Sequence, residues 1–423
     1  MPAVTLTHRL LPAGVASEGL AAHAAIFGAR PALNPGAMVS VLDASGLRGR
    51  GGAGFPTGTK WRAVMENAER SGAVIVANAA ECEPASRKDR HLIALRPHLI
   101  LDGLAHAAET MGARRAIVYT SRSHSALSDG LARAIVERRR QGDGDLFIEI
   151  LNGPNRYVAG EETALISRVS GRLAKPHVVP PRPFQSGVDA LPTLVQNVET
   201  LAHAALIARF GPEWFREAGT ARAPGTMLLT VTGAVREACV VEADSRMTLA
   251  DVIDRAGGPV EDPAALLIGG YSGRWVPSGG VLNTPMDADI GRGIAANIGA
   301  GVVAVLPATA CGVMETDRVL TYLADQTAGQ CGPCHVGLPA TARLFHEVAI
   351  GSARPSALDV LERWSGEVPG RGACRHPDGA MLLLSSALRV FAADLRHHLR
   401  HGACRFSARA PLLPVPALEK GWW

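Results

Sequence analysis

Short apolar runs alternate with longer stretches of helical spacing through the first half of the chain. Ala73 to Ala80 (Ala-Val-Ile-Val-Ala-Asn-Ala-Ala), Arg115 to Thr120 and Leu146 to Leu151 read as buried strands. Between them, Arg90 to Met111 and Ser125 to Arg139 carry the apolar spacing of helices. Strands that alternate with helices predict an α/β layer around a mostly parallel sheet.

The pattern changes at Thr220 to Gly225 (Thr-Ala-Arg-Ala-Pro-Gly). Met227 to Gly233 and Ala265 to Gly270 are strand-like and Thr248 to Ala256 suits one short helix, which predicts a small β-rich module. Helical periodicity returns in Asp317 to Ala328, Pro339 to Ile350, Ser356 to Trp364 and Gly379 to His401. The expected divisions are therefore an α/β domain at 1–222, a β-rich module at 223–310, a helical bundle at 311–410 and an extended tail at 411–423.

Composition narrows the class without naming a function. With 47% hydrophobic and 19% charged residues in 423 positions, the chain has ample material for packed cores. Its 46 glycines and 28 prolines follow no period, which excludes collagen and implies many turns. The formal charge of +4 is too dilute to argue for a nucleic-acid surface, although Arg389 to Arg405 is locally basic. Seven cysteines with one CxxC pair suit thiol or metal chemistry in a reducing compartment better than a disulfide scaffold. The opening residues show no charged segment followed by an apolar one, and no apolar run reaches the roughly 18 residues of a membrane span. A cytoplasmic protein is expected.

Candidate chemistry begins at Gly46 to Trp61, Gly-Leu-Arg-Gly-Arg-Gly-Gly-Ala-Gly-Phe-Pro-Thr-Gly-Thr-Lys-Trp. Glycines 49, 51, 52, 54 and 58 let the backbone approach a ligand closely, and free amides can cradle a phosphate. Lys60 can add a point charge to that phosphate. The segment fits neither the Walker pattern nor a dinucleotide fingerprint, and composition alone is also compatible with a mobile surface loop. After the first strand, Asn78 is followed by Glu81 and Glu83, which places two carboxylates at the carboxyl end of the sheet, where α/β proteins bind ligands. A solvated acidic loop is the plainer alternative.

The whole string from Gly46 to Trp61 resembles the flavin-binding loop of the NADH-oxidising flavoprotein subunit of respiratory complex I, a family that includes flavin subunits of NAD-linked hydrogenases and formate dehydrogenases. Tyr157 to Ala164 resembles the family's Gly-Glu-Glu-Thr-Ala segment, Pro192 to Thr200 its Asn-Val-Glu-Thr segment, and Gly329 to Cys334 its iron–sulfur segment, all in the family's order. The resemblance, over roughly residues 45 to 400, implies an FMN-binding α/β domain, a β-grasp module of the soluble-ligand-binding (SLBB) type and a C-terminal helical bundle with a [4Fe-4S] cluster. Carried over by motif, the cofactor-binding set is Gly49, Arg50, Gly51, Gly52, Gly54, Phe55, Lys60, Asn78, Glu81, Tyr157, Gly160, Glu161, Glu162, Asn197 and Thr200. Glu81, Glu83, Glu161 and Glu162 are expected to shape a nicotinamide pocket, and Cys331, Cys334 and Cys374 to hold the cluster.

The sequence departs from that family in three places. Asn78 to Pro84 reads Asn-Ala-Ala-Glu-Cys-Glu-Pro, with Ala80 and Cys82 in place of Asp and Gly, and is similar to the C subunit of the Rnf ferredoxin:NAD oxidoreductase. Of the aromatic positions that stack the dinucleotide's adenine, Phe55 remains, while Ala63 and Arg182 stand at two others. Losing such a surface costs about 0.5–1.5 kcal/mol, although a guanidinium can also stack. Ala328 occupies the position of the first cluster cysteine, which leaves three thiolates and His335, Cys311 and Cys404 as candidates for a fourth ligand; a three-iron cluster, zinc, a dithiol or a vestigial site are the other readings.

The implied function is electron transfer from NAD(H) to FMN, then to an iron–sulfur cluster and on to a ferredoxin-like or other redox subunit, within a complex at the cytoplasmic membrane face. An electron-transfer flavoprotein that does not use NAD(H), and an assembly or binding relative that has lost its cofactors, are the alternatives. Cys239 reads as a core thiol, His397, His398 and His401 as part of a solvated basic face, and Trp422 and Trp423 have no motif around them.

Overall fold

The computed structural model describes residues 8–12, 17–68, 72–142, 146–287, 298–419 and 421–423. Residues 1–7, on which the expectation about a leader segment rests, lie outside the described residues. Three helices, α1 (Leu20–Phe27), α2 (Pro35–Ser45) and α3 (Thr57–Ala68), precede the first strand, β1 (Val74–Ala79). The Asn34 side chain caps α2 by accepting from the Ala37 amide, and Gly46 ends it in the left-handed region at φ 70°.

The α/β layer continues with α4 (Lys88–Leu95), α5 (Pro97–Met111), β2 (Arg115–Ser121), α6 (Ser125–Arg140), β3 (Phe147–Gly153), α7 (Glu162–Val169), β4 (Thr193–Asn197) and α8 (Val198–Arg216). The predicted single helix from Arg90 to Met111 is two helices: Pro97 has no amide to donate and forces Arg96 to φ −132°, ψ 57°, so a new helix starts there. The strands form a parallel sheet in the order β3-β2-β1-β4. Alternate residues serve its two faces: Ile75, Ala77 and Ala79 pack against α2, α5 and α8, and Val74 and Val76 against α7. From β1 the chain adds strands on one side and then crosses to place β4 on the other, so the switch point lies between β1 and β4.

Gly103 allows α5 and α8 to touch, since a Cβ there would stand 2.0 Å from the Leu201 carbonyl oxygen. Ala normally favours a helix by up to about 1 kcal/mol over Gly, but backbone cannot yield as a side-chain tip can. Gly103→Ala is expected to destabilise the protein by about 1–3 kcal/mol in urea unfolding, and a stabilised variant would refute this account of the helix contact.

The second sheet consists of β5 (Thr226–Gly233), β6 (Cys239–Asp244), β7 (Pro263–Ile268), β8 (Arg274–Pro277) and β9 (Val302–Pro307), with α9 (Leu249–Asp254) after β6. Its order, β6-β5-β9-β7-β8, sets β9 between two antiparallel hairpins, parallel to β5 and antiparallel to β7, the β-grasp arrangement. Thr248 and Asp251 close a capping box on α9. One sheet face, with Leu229, Val231, Val303 and Val305, covers α9; the other, with Leu267, Val302 and Ala304, covers the helical bundle. Cys239 begins the edge strand β6 and is half-exposed, so it is not the core thiol that its neighbours suggest.

The bundle comprises α10 (Gly312–Asp325), α11 (Leu338–Ala349), α12 (Ala357–Glu367), α13 (His376–Val390) and α14 (Ala392–His401). The stretch expected as one helix from Gly379 to His401 breaks at Phe391. Beyond it, residues 411–419 and 421–423 are strapped across the molecule. The amides of Leu412 and Leu413 donate to Glu315, that of Asn155 donates to Glu419 at 2.8 Å, and that of Ala174 to the Trp422 carbonyl at 2.7 Å. The guanidinium of Arg156 lies 4.3 Å from the Trp422 ring and that of Arg168 5.3 Å from the Trp423 ring. The tryptophans that lack a motif thus fasten the tail to the α/β domain.

Candidate functional site

The carboxyl ends of the parallel strands carry the candidate residues. Asn78 at the end of β1 is in register with Asn197 at the end of β4, on either side of the switch point. Asn78 donates its amide to the Gly160 carbonyl at 2.9 Å, which anchors the turn Tyr157–Gly160 over the sheet. Asn197 accepts from the amides of Glu199 and Thr200 as the cap of α8 and donates to Asp89 at 2.7 Å.

Between α2 and α3, residues 48–56 form a narrow loop closed by an Arg48–Pro56 bridge and by the Gly49 amide on the Phe55 carbonyl at 2.8 Å. The Arg50 amide donates to Thr200 Oγ1 at 2.8 Å, and its guanidinium reaches the Thr226 carbonyl at 2.9 Å, tying the loop to both sheets. A Cβ on Gly51 would stand 3.2 Å from that of Asn197, while Gly52 and Gly54 have φ of 112° and 60°. The glycines are required both by close approach and by backbone conformation. Below the loop, buried Lys88 bridges Asp89 at 2.7 Å and Glu199 at 2.8 Å, a support that the Lys-Asp-Arg segment does not announce. A cleft of about 50 Å³ between the loop and the β-grasp module is lined by Arg48, Gly49, Arg50, Lys88, Glu199 and Leu228, and the strand ends lie open beside it.

On that side Lys60, in the first turns of α3, pairs with Glu162 at 2.7 Å, both partly exposed. Lys60 thus stands as a partly exposed cation in the first turns of α3, soon after the glycine loop, a donor type that anionic phosphates take. Phe55 is 53% exposed beside them, available for stacking, and Arg182 is exposed as well.

The four glutamates separate into different roles. Glu81, at φ 36°, accepts from Ser86, from the Asp89 and Arg90 amides and from the Arg90 guanidinium, so its carboxylate is directed into α4. Glu161 caps α7 by accepting from Thr163 and Ala164. These two shape the site through the backbone they fix, and only Glu162 presents its carboxylate to Lys60. Glu83 is buried and accepts from Tyr157 Oη at 2.9 Å and from the Tyr271 amide at 2.9 Å. Burial outweighs those bonds and pushes its carboxyl up to about 7.

Glu83 therefore carries a pH signature. The folded carboxyl keeps its proton to about pH 7, whereas an unfolded one loses it near pH 4.5. The associated stability is complete below the unfolded value and is lost as pH rises through 7. Glu83→Gln is expected to flatten this slope, so that between about pH 5 and 8 the wild type loses about 2–3 kcal/mol relative to the variant in urea unfolding. Parallel pH profiles would remove Glu83 as the source.

Tyr157 also links the site to the bundle. Its ring is 6.1 Å from Tyr322, edge-on, and 5.5 Å from His376, and its amide donates to Gln326. His376 follows Cys374 by two residues. Cys331 and Cys334 lie at the start of the turn before α11, and Cys331 and Cys374 are both near enough to Cys334 to act on it electrostatically. Burial first, then the neighbouring thiols, raise Cys334 to about 12; burial raises Cys374 to about 11. A cluster at these thiols would have to displace their protons, since only thiolates ligate it. The buried Ala328 donates its amide toward Cys334, so the residue at the first cysteine position of the motif lies beside the thiols but offers no ligand. His335 is exposed. Cys311 and Cys404, the other candidates, lie with His398 in a separate cluster. His398 is fully buried, which corrects its reading as part of a solvated face.

Residues 42–205 match the model of the Nuo51 FMN-binding domain, 228–271 that of the SLBB domain, and 314–398 that of the NADH-ubiquinone oxidoreductase-F iron-sulfur binding region. The NADH-quinone oxidoreductase F 2 subunit of Rhizobium meliloti (strain 1021) is 33% identical over 88% of this chain and 91% of its own length. The chain belongs to the family of NADH-quinone oxidoreductase F subunits. The F subunit of Mycobacterium tuberculosis (strain ATCC 25618 / H37Rv) is 31% identical over 91% of this chain and 89% of its own. Among solved structures, an NAD+-reducing [NiFe]-hydrogenase in the H2-reduced state superposes with a TM-score of 0.78 at 31% identity, over 88% of this chain and 63% of that one. The fold of this member of the F-subunit family is accordingly an FMN-binding α/β domain, an SLBB module and a helical iron–sulfur region, the architecture expected from its motifs.

Proposed function

We propose that the chain passes electrons from NAD(H), through FMN at the glycine loop, to an iron–sulfur cluster at Cys331, Cys334 and Cys374, and on to a partner redox subunit. The observation that carries this reading is the continuity of the site: the loop, Lys60 and both asparagines meet at the switch point, and Tyr157 and His376 lead from there to the thiols. FMN supplies the chemistry, since it takes up two electrons together and releases them singly. Lys60 and the amides of Gly51 to Gly54 would hold its phosphate and place its ring against Tyr157 to Glu162. Glu162 would share Lys60 with the bound phosphate. Buried Glu83 can hold a proton beside Tyr157.

Among the described residues no helix is long and apolar enough to cross a membrane, so any attachment to a membrane complex would run through partner subunits. Anaerobic NADH is expected to bleach the flavin absorbance of the purified protein within its turnover time. Ala63 and the exposed Arg182 favour one second reading, a flavoprotein reduced by another subunit instead. A flavin band that persists under NADH but bleaches with dithionite would select that reading.

A further inference from the structure

A second cluster of metal-ligating side chains lies at the far end of the bundle, away from the three thiols. Cys311 Sγ, His398 Nε2 and Cys404 Sγ lie within 4.8 Å of one another, with Cys311 and His398 buried. Cys311 precedes α10, His398 lies in α14, and Cys404 in the turn that follows it. The close approach that assembles them is built into the backbone. A Cβ on Gly351 would stand 2.6 Å from Gly402 Cα and 2.7 Å from the His398 carbonyl, and Gly402 itself has φ 81°.

We propose that Cys311, His398 and Cys404 form a zinc site with a fourth, open coordination position. The Cys311 Sγ to His398 Nε2 distance is 3.5 Å. Two such ligands on a tetrahedral zinc, with bonds of about 2.3 and 2.05 Å, are roughly 3.6 Å apart, so this pair already spans one edge of the polyhedron. The imidazole is oriented for it: Nδ1 donates to the Ala349 carbonyl at 2.7 Å, which leaves the lone pair on Nε2 directed at the thiols. The Cys404 amide points at the same lone pair at 3.3 Å, a long contact that a cation would replace. Cys311 caps α10 and receives the Met314 amide at 3.5 Å, which fixes its sulfur at the start of the helix. Ser407 Oγ lies 3.5 Å from Cys404 Sγ at the half-exposed side, through which an ion can enter. The ion would pin the last helix to the first of the bundle.

The test is elemental analysis of the full chain after expression with iron and zinc, followed by dialysis against zinc sulfate and then buffer. One zinc per chain is expected. Cys404→Ser, a change in a half-exposed turn, is expected to lower zinc retention at least about tenfold with iron unchanged, and His398→Gln to do the same. Cys334→Ser should lower iron and leave zinc. A wild type without zinc, or zinc that survives both substitutions, overturns the proposal. So does iron lost together with zinc in Cys404→Ser, or a Cys311–Cys404 disulfide found by peptide mapping of the untreated protein.

Discussion

Cys334→Ser is expected to leave the purified protein without iron–sulfur absorbance and to bring iron per chain close to background. Cys334 is the buried member of the triad, 3% exposed, with Cys331 and Cys374 near enough to act on it electrostatically. A site already limited to three thiolates cannot lose one and still bind a cubane, which ordinarily takes four. A hydroxyl held in that apolar pocket does not ionise to replace it. The reverse change is equally informative. Ala328 stands next to Cys334 with its side chain buried, so Ala328→Cys is expected to add the missing ligand and raise iron retention during anaerobic gel filtration. Iron unaffected by both substitutions would show that the metal sits elsewhere.

Lys60→Ala is expected to weaken FMN retention by about 1.5–3 kcal/mol, the worth of a charge-assisted contact, or roughly 10- to 150-fold in Kd. Quenching of flavin fluorescence on titration into the apoprotein measures it. Lys60 also pairs with Glu162, so removing it leaves a carboxylate unpaired near the phosphate. Glu162→Gln separates the two effects: it frees Lys60 and should hold FMN at least as tightly. Equal losses in both variants would mean that the ion pair, and not the cation's contact with phosphate, organises the site.

Much of this is legible in the chain because short motifs encode local backbone geometry. The strands around Val76 and Val118 stand out as continuous apolar runs, and the loop at Gly49 to Gly58 by glycines that close approach or a positive φ requires. What escapes is tertiary. β4 has only five residues and is submerged in a motif, so its pairing with β1, which creates the switch point, has no periodic signal. Glu81 and Glu83 are two residues apart and look equivalent, yet one caps a helix and the other is enclosed by Tyr157 and Tyr271 from distant segments. Residue type alone groups Cys311 and Cys404 with the cluster thiols, whereas the fold sends them to His398.

The strap of residues 411–419 and 421–423 sets an order of events during biosynthesis. Arg156, Arg168 and Lys175 belong to the first domain to leave the ribosome, but the indole rings that cover them are translated after the bundle. Until that moment the rim beside Tyr157 lacks its indole cover, so the nascent chain exposes a cationic face that the finished protein conceals.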